Sequence, residues 1–344
     1  MRKLPVCALL LAISAGAQSS VSKQMNAAVQ AYVDKHEYMG TVLVVRHGSV
    51  LLDKGYGMAD AEWSIPNAPD TRFRLGSITK QFTAASVLLL EERGKLKTDD
   101  LLSKYLPDTP KTWEKITLAE LLTHTSGIPN VTDFAGYDQW SAAVKTRAQL
   151  LEKFRDLPLD FEPGTKYNYS NSGYDVLGMV IERVSGQDLG VFLQENIFGP
   201  VGMKESRLGV DTMILPHRAV GYELKDGVLI RAGYTSTSVS FAAGAIHSTT
   251  HDLLKWENAL FGGKVLSPAS FTKMTTPVKA LHGMGLVMGE VAGHKTVMHS
   301  GSVYGFNNYM TYFPAEDVNV IVLGNESGKA PDQIMEELSK LALQ

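Results

Sequence analysis

Cysteine is almost absent: there is one, Cys7, in 344 residues. That removes an intrachain disulfide and makes a thiolate zinc site or a cysteine nucleophile a poor reading. An excess of charge is lacking too. Lys plus Arg number 33 against 36 Asp plus Glu, a formal charge of −3, so there is no electrostatic reason to expect nucleic-acid or anionic-membrane binding. No apolar run reaches the ~20 residues that span a bilayer. Repeats and low-complexity tracts are missing as well. What remains is ordinary globular composition, 44% hydrophobic and 20% charged. At this length a single core nears its practical limit, which predicts two subdomains or one interrupted by a large insertion.

The first segment reads as an export leader. Residues 1–17 combine a basic start (Arg2, Lys3), an apolar run from Leu4 to Ile13 and the small residues Ala15-Gly16-Ala17. Cleavage is expected after Ala17, which removes Cys7 with the leader. A lipoprotein is a weak reading, because Cys7 does not stand at the cleavage point. The mature protein is therefore expected to work in the periplasm or outside the cell, free of cysteine.

Patterning then predicts an α/β (α+β) fold. Met25, Ala28, Val29, Tyr32 and Val33 fall on one helical stripe. A hairpin follows, Thr41 to Arg46 and Val50 to Tyr56 about Gly48-Ser49. Strand-like runs return at 285–291, 307–313 and 318–323, and Ile334, Leu338 and Leu341 stripe a closing helix. Strands at both chain ends, each with a helix, predict one antiparallel sheet built from both termini and flanked by those helices. Between them, helical signals at 77–93, 118–122 and 173–184 predict an inserted helical subdomain. The expected division is 18–76 plus 214–344 for the α/β subdomain and 77–213 for the helical one. Asp226-Gly227 marks an extra small hairpin.

Three short motifs carry the chemistry. Ser77-Ile78-Thr79-Lys80 follows Gly76 and opens a helix that is apolar on almost every side, so it belongs in the core. Ser77 would stand at its N-terminus, where free N–H groups favour developing negative charge. A Lys three residues on shares that face, and its amine can influence the proton of a hydroxyl that is a weak nucleophile unaided. Tyr169-Ser170-Asn171 follows the Pro163-Gly164 turn. A phenol ionises near pH ~10, so a Tyr base needs a neighbouring cation such as Lys80. Asn171 offers a donor and an acceptor suited to a substrate amide. His299-Ser300-Gly301, with Ser302 next, puts a cation-capable side chain beside a glycine that lets substrate lie close to a strand edge. Any one of these motifs alone means little; their order and context raise the signal.

Together they resemble the serine β-lactamase and penicillin-binding superfamily, in the branch of class C β-lactamases, D-alanyl-D-alanine carboxypeptidases, D-aminopeptidases and related esterases. The resemblance spans nearly the whole mature chain. It includes Phe73-Arg74-Leu75-Gly76, Leu121 through Gly127, Pro163 through Tyr174, Gly178 to Glu182 and Ile197 through Met203. It implies a β-lactamase/transpeptidase-like fold, with Ser77 as acylated nucleophile, Lys80 as its proton-transfer partner and Tyr169 as the shuttle to the leaving group. It implies Asn171, His299 and Gly301 as substrate-binding positions in a cleft between subdomains, and an oxyanion hole from the N–H groups of Ser77 and Ser302. Whether Lys80 or Tyr169 takes the serine proton first is left open by the sequence.

Other constellations fail. His124-Thr125-Ser126-Gly127 places His and Ser as neighbours in a turn, which closes a helix end and makes no nucleophile–base pair. His247 and His251 are spaced for a metal, but Thr249 to Asp252 reads better as a helix cap. Gly-x-Ser-x-Gly is absent, so a Ser-His-Asp hydrolase is unsupported. No cofactor, metal or nucleic-acid partner is expected; the partner is a small-molecule or peptide substrate.

The resulting expectation is an exported acyl-enzyme serine hydrolase, foremost a D-alanyl-D-alanine carboxypeptidase or related D-peptidase, because Tyr-Ser-Asn with His-Ser-Gly resembles those enzymes more than β-lactamases. A carboxylesterase is the alternative. The region 285–297 holds no Arg for a substrate carboxylate, only His294 and Lys295. A class C-type β-lactamase and a non-catalytic penicillin-binding sensor are further alternatives.

Overall fold

The computed structural model describes residues 6–344, with side chains from Ser20 onward. The side chains of the expected leader, residues 1–17, lie outside the described ones.

The two chain ends meet in one sheet. Six antiparallel strands are ordered Val287–Val291, His294–Val303, Phe306–Phe313, Val318–Gly324, Gly40–Arg46 and Ser49–Tyr56. The seam is the pairing of Gly40–Arg46 with Val318–Gly324, running from Gly40 opposite Gly324 to Arg46 opposite Val318. Side chains alternate across these strands. Val42, Val44, Val320 and Val322 pack with Met25 and Val29 of the first helix and with Ile334 and Leu338 of the closing helix Ala330–Ala342. Leu43, Val45, Ile321 and Leu323 face the other way, into the core around Phe82 and Leu88. A strand with both faces covered must be apolar throughout, and every residue of Val318–Gly324 is buried.

The helix after Ser77 is the hub of that second core. Every residue from Thr79 to Leu90 is buried, as a helix apolar on all sides requires. It differs from expectation at its start. Gly76–Ile78 form a single 3-10 turn, and the α-helix begins at Thr79. Gly76 has φ +56°, a conformation that favours glycine, so the chain turns before the helix can begin.

Helix Leu118–Leu122 opens on a capping box between Thr117 and Glu120. It ends at a turn in which His124 has positive φ, as its expected structural role requires. That turn is stitched to the next motif: Gly164 N donates to Thr125 O at 2.8 Å and Asn168 N to His124 O at 3.0 Å. Helix Asn171–Ser185 follows directly, capped by the Ser170 side chain. The hairpin about Asp226-Gly227 forms as expected, Tyr222–Lys225 against Val228–Arg231.

Candidate active site

Two glycines let the serine turn touch the sheet. A Cβ on Gly301 would lie 1.9 Å from Leu75 O and 2.9 Å from Ser77 N; one on Gly76 would lie 2.7 Å from Ser302 N. Real Cβ atoms do not approach so closely, so only glycine allows this contact. It sets the backbone nitrogens of Ser77 and Ser302 on facing segments, at the mouth of a cavity of about 240 Å³ that Ser77, Asn171 and Ser302 line. Ser77 itself is half-buried, between the buried Gly76 and Ile78.

Lys80 lies beneath it, fully buried. Its Nζ sits 3.1 Å from Ser77 Oγ and donates to Asn171 Oδ1 at 2.7 Å and to Ala243 O at 2.9 Å. Burial lowers the amine to about 7, against the opposing pull of Asp175. Near neutral pH a substantial fraction of this lysine is therefore uncharged and carries a lone pair.

Tyr169 completes the group. Burial raises its phenol above the ordinary tyrosine value, against a smaller lowering by the Ser77 hydroxyl. Lys80 Nζ is 4.8 Å from the Tyr169 ring centroid. The phenol thus stays protonated through the neutral range, and Lys80 is the group with an open lone pair.

Asn171 is more engaged than its sequence position suggests. Its carbonyl oxygen holds Lys80, and its Nδ2 donates to Asn130 Oδ1 at 3.1 Å and Thr132 Oγ1 at 3.3 Å. His299 is buried, and burial together with Lys80 lowers it to about 3. The side chain read as cation-capable is neutral here. Its Nδ1 lies 2.5 Å from Ser300 O, which makes Nδ1 the donor and leaves Nε2 as an acceptor.

Three further residues belong to the site and were not foreseen as such. His124 stacks behind the phenol, 4.4 Å between ring centroids, and its Nδ1 accepts from Ser170 N at 3.1 Å. Asn130 bridges to both the backbone and the side chain of Asn171. Asp175 is 1% exposed, lines the cavity one helical turn beyond Asn171, and is pushed up to about 7 by burial, with Lys80 and Arg147 pulling it down. A lone acid inside the apolar stretch Tyr174 to Ile181 was the available signal for it. His247 and His251, by contrast, sit on different elements, strand Ile246–Ser248 and helix Thr250–Phe261. Thr249 caps that helix by accepting from Asp252 N.

A buried lysine against a half-buried serine, a phenol ring beside that lysine and two backbone nitrogens across the mouth can activate an oxygen nucleophile and receive an oxyanion. Comparison with known proteins agrees. The family model described as Beta-lactamase matches residues 25–344. The chain is 32% identical over 308 residues to the penicillin-binding protein PbpX of Bacillus subtilis (strain 168), covering 89% of this chain and 75% of that one. A penicillin binding protein from Bacillus halodurans superposes with TM-score 0.81 at 26% identity, covering 94% of this chain and 98% of the other. An octameric penicillin-binding protein homologue from Pyrococcus abyssi gives 0.80 at 28%, covering 93% and 76%. The chain belongs to the serine β-lactamase and penicillin-binding protein superfamily and is one of its serine hydrolases.

Proposed function

We propose that this protein is a penicillin-binding D-peptidase, a D-alanyl-D-alanine carboxypeptidase or close relative, exported by the leader ending near Ala17 and working through an acyl-enzyme on Ser77. The observation that carries this is the fully buried Lys80 amine 3.1 Å from Ser77 Oγ.

The neutral Lys80 amine accepts the hydroxyl proton as Ser77 Oγ attacks the carbonyl carbon. The carbonyl oxygen becomes an oxyanion facing the N–H groups of Ser77 and Ser302. The proton passes from Lys80 through the Tyr169 phenol to the leaving nitrogen, and the C–N bond breaks. Water then attacks the acyl-enzyme, giving up its proton to the same pair, and Ser77 is restored. Asn171 holds Lys80 in place, while the His299 and Gly301 strand receives the substrate backbone. In this reading the cleft lies between an α/β subdomain (18–76 plus 214–344) and a helical one (77–213).

A carboxylesterase is the second reading, favoured by one observation: among the described residues, no Lys or Arg lines the cavity at Ser77. A side-by-side panel separates them, using acetyl-D-Ala-D-Ala, a D-amino acid amide, p-nitrophenyl butyrate and nitrocefin with the mature protein. Release of D-Ala is expected. Turnover of the butyrate ester with no peptide or amide cleaved would replace the peptidase by the esterase, and fast nitrocefin turnover would make it a β-lactamase.

A further inference from the structure

A second cavity, of about 440 Å³, shares Tyr304 with the cavity at Ser77. It is lined by three arginines, Arg74, Arg218 and Arg231, and by Asp211 and His247. Their charges are not equally available. Arg231 is tied to Glu62 in a two-pronged pair. Asp211 accepts from Thr237 N and Thr237 Oγ1, both at 2.8 Å, and from the hydroxyls of Tyr234 and Ser236. His247, buried at the wall, is held neutral by that burial and by Arg74 and Arg218.

The other two guanidiniums have no carboxylate partner at ion-pair distance among the described residues. Arg74 is only 6% exposed; its Nη2 donates to Thr235 O at 2.8 Å, but its buried Nε has no hydrogen-bond partner. Arg218 is exposed and makes no ion pair among the described residues. Two guanidiniums without an ion-pair partner, against the single carboxylate of Asp211, leave one uncompensated positive charge. An unsatisfied, nearly buried guanidinium donor is costly unless something accepts from it. A planar, singly charged acceptor suits two such forks, and a phosphate dianion would overcompensate the cavity.

We propose that this cavity is a carboxylate-binding subsite, in which Arg74 and Arg218 take a carboxylate carried by the substrate whose scissile carbonyl lies at Ser77. The proposal rests on the peptidase reading for its substrate, and it supplies the arginine that the region 285–297 lacks.

Three peptides test it: acetyl-D-Ala-D-Ala amide, which is neutral; acetyl-D-Ala-D-Ala, with a terminal carboxylate; and succinyl-D-Ala-D-Ala amide, with one on the acyl side. At least one charged peptide is expected to exceed the neutral one by about tenfold in kcat/KM, with that ratio collapsing towards one in Arg218→Ala and partly restored in Arg218→Lys. Which charged peptide wins tells which end of the substrate reaches the cavity. Equal kcat/KM for all three in the wild type, or a preference that survives Arg218→Ala, overturns the proposal. If no peptide is cleaved, the peptidase reading has failed and calorimetric titration with glutarate decides: binding lost in Arg218→Ala supports the subsite, and no binding to the folded wild type overturns it. Arg218 is exposed, so melting of the variant is expected to match the wild type.

Discussion

At the scale of the residue, the site is governed by what burial does to Lys80. An exposed lysine stays protonated near neutrality and has no lone pair to offer. Here desolvation lowers the amine to about 7, while Tyr169 is moved the other way. Because the protonated amine cannot accept the Ser77 proton, acylation must fall as pH drops below that value, by about tenfold per unit, and level off above it. A pH profile of kcat/KM flat from about 5 to 8 would contradict this assignment. Lys80→Ala is expected to lose about 10²–10⁴-fold in acylation rate, measured by stopped flow with a chromogenic ester. Much of this was legible: Ser77, Lys80, Tyr169 and Asn171 are named by short motifs. His124 and Asn130 were not, because what they do depends on a turn pressed against the tyrosine from 46 residues away in the case of the bond from Ser170 to His124.

At the scale of the element, the decisive contact is strand His294–Val303 against the Gly76–Ile78 turn. Gly301→Ala places a Cβ where Leu75 O and Ser77 N already stand. The strand must retreat, and the Ser77 and Ser302 nitrogens part. A loss of about 10²–10³-fold in acylation is expected, with destabilisation of about 1–3 kcal/mol, read from labelling rates and thermal melts. Wild-type labelling by Gly301→Ala would show that the close approach is not needed. This ten-residue strand was also the hardest to read. Its polar His-Lys-Thr opening and its glycine hide the alternation that marked the 307–313 and 318–323 runs, and its burial alternates only in part. The 3-10 start before Thr79 was missed for a related reason. Motif spacing suggests a shared helical face, whereas the backbone reversal at Gly76 is imposed by the sheet it meets.

At the scale of the whole molecule, stability runs through the seam where the two ends of the chain pair. Leu338 is fully buried against that seam. Leu338→Ala is expected to cost about 2–5 kcal/mol, seen as a lower Tm, while kcat measured well below the melt stays near wild type. The seam was readable in outline, since apolar strands and striped helices at both ends need a common sheet to bury them. The proposed leader gives a separate check: if it is cut after Ala17, the intact mass of the protein recovered outside the cytoplasm should correspond to a chain beginning at Gln18, and a mass retaining residues 1–17 would contradict cleavage there. The account as a whole turns on one oxygen atom. Labelling with a fluorophosphonate probe, followed by peptide mass spectrometry, should place the adduct on Ser77. It should vanish in Ser77→Ala and persist in Ser126→Ala. An adduct that survives in Ser77→Ala would contradict the mechanism at its root.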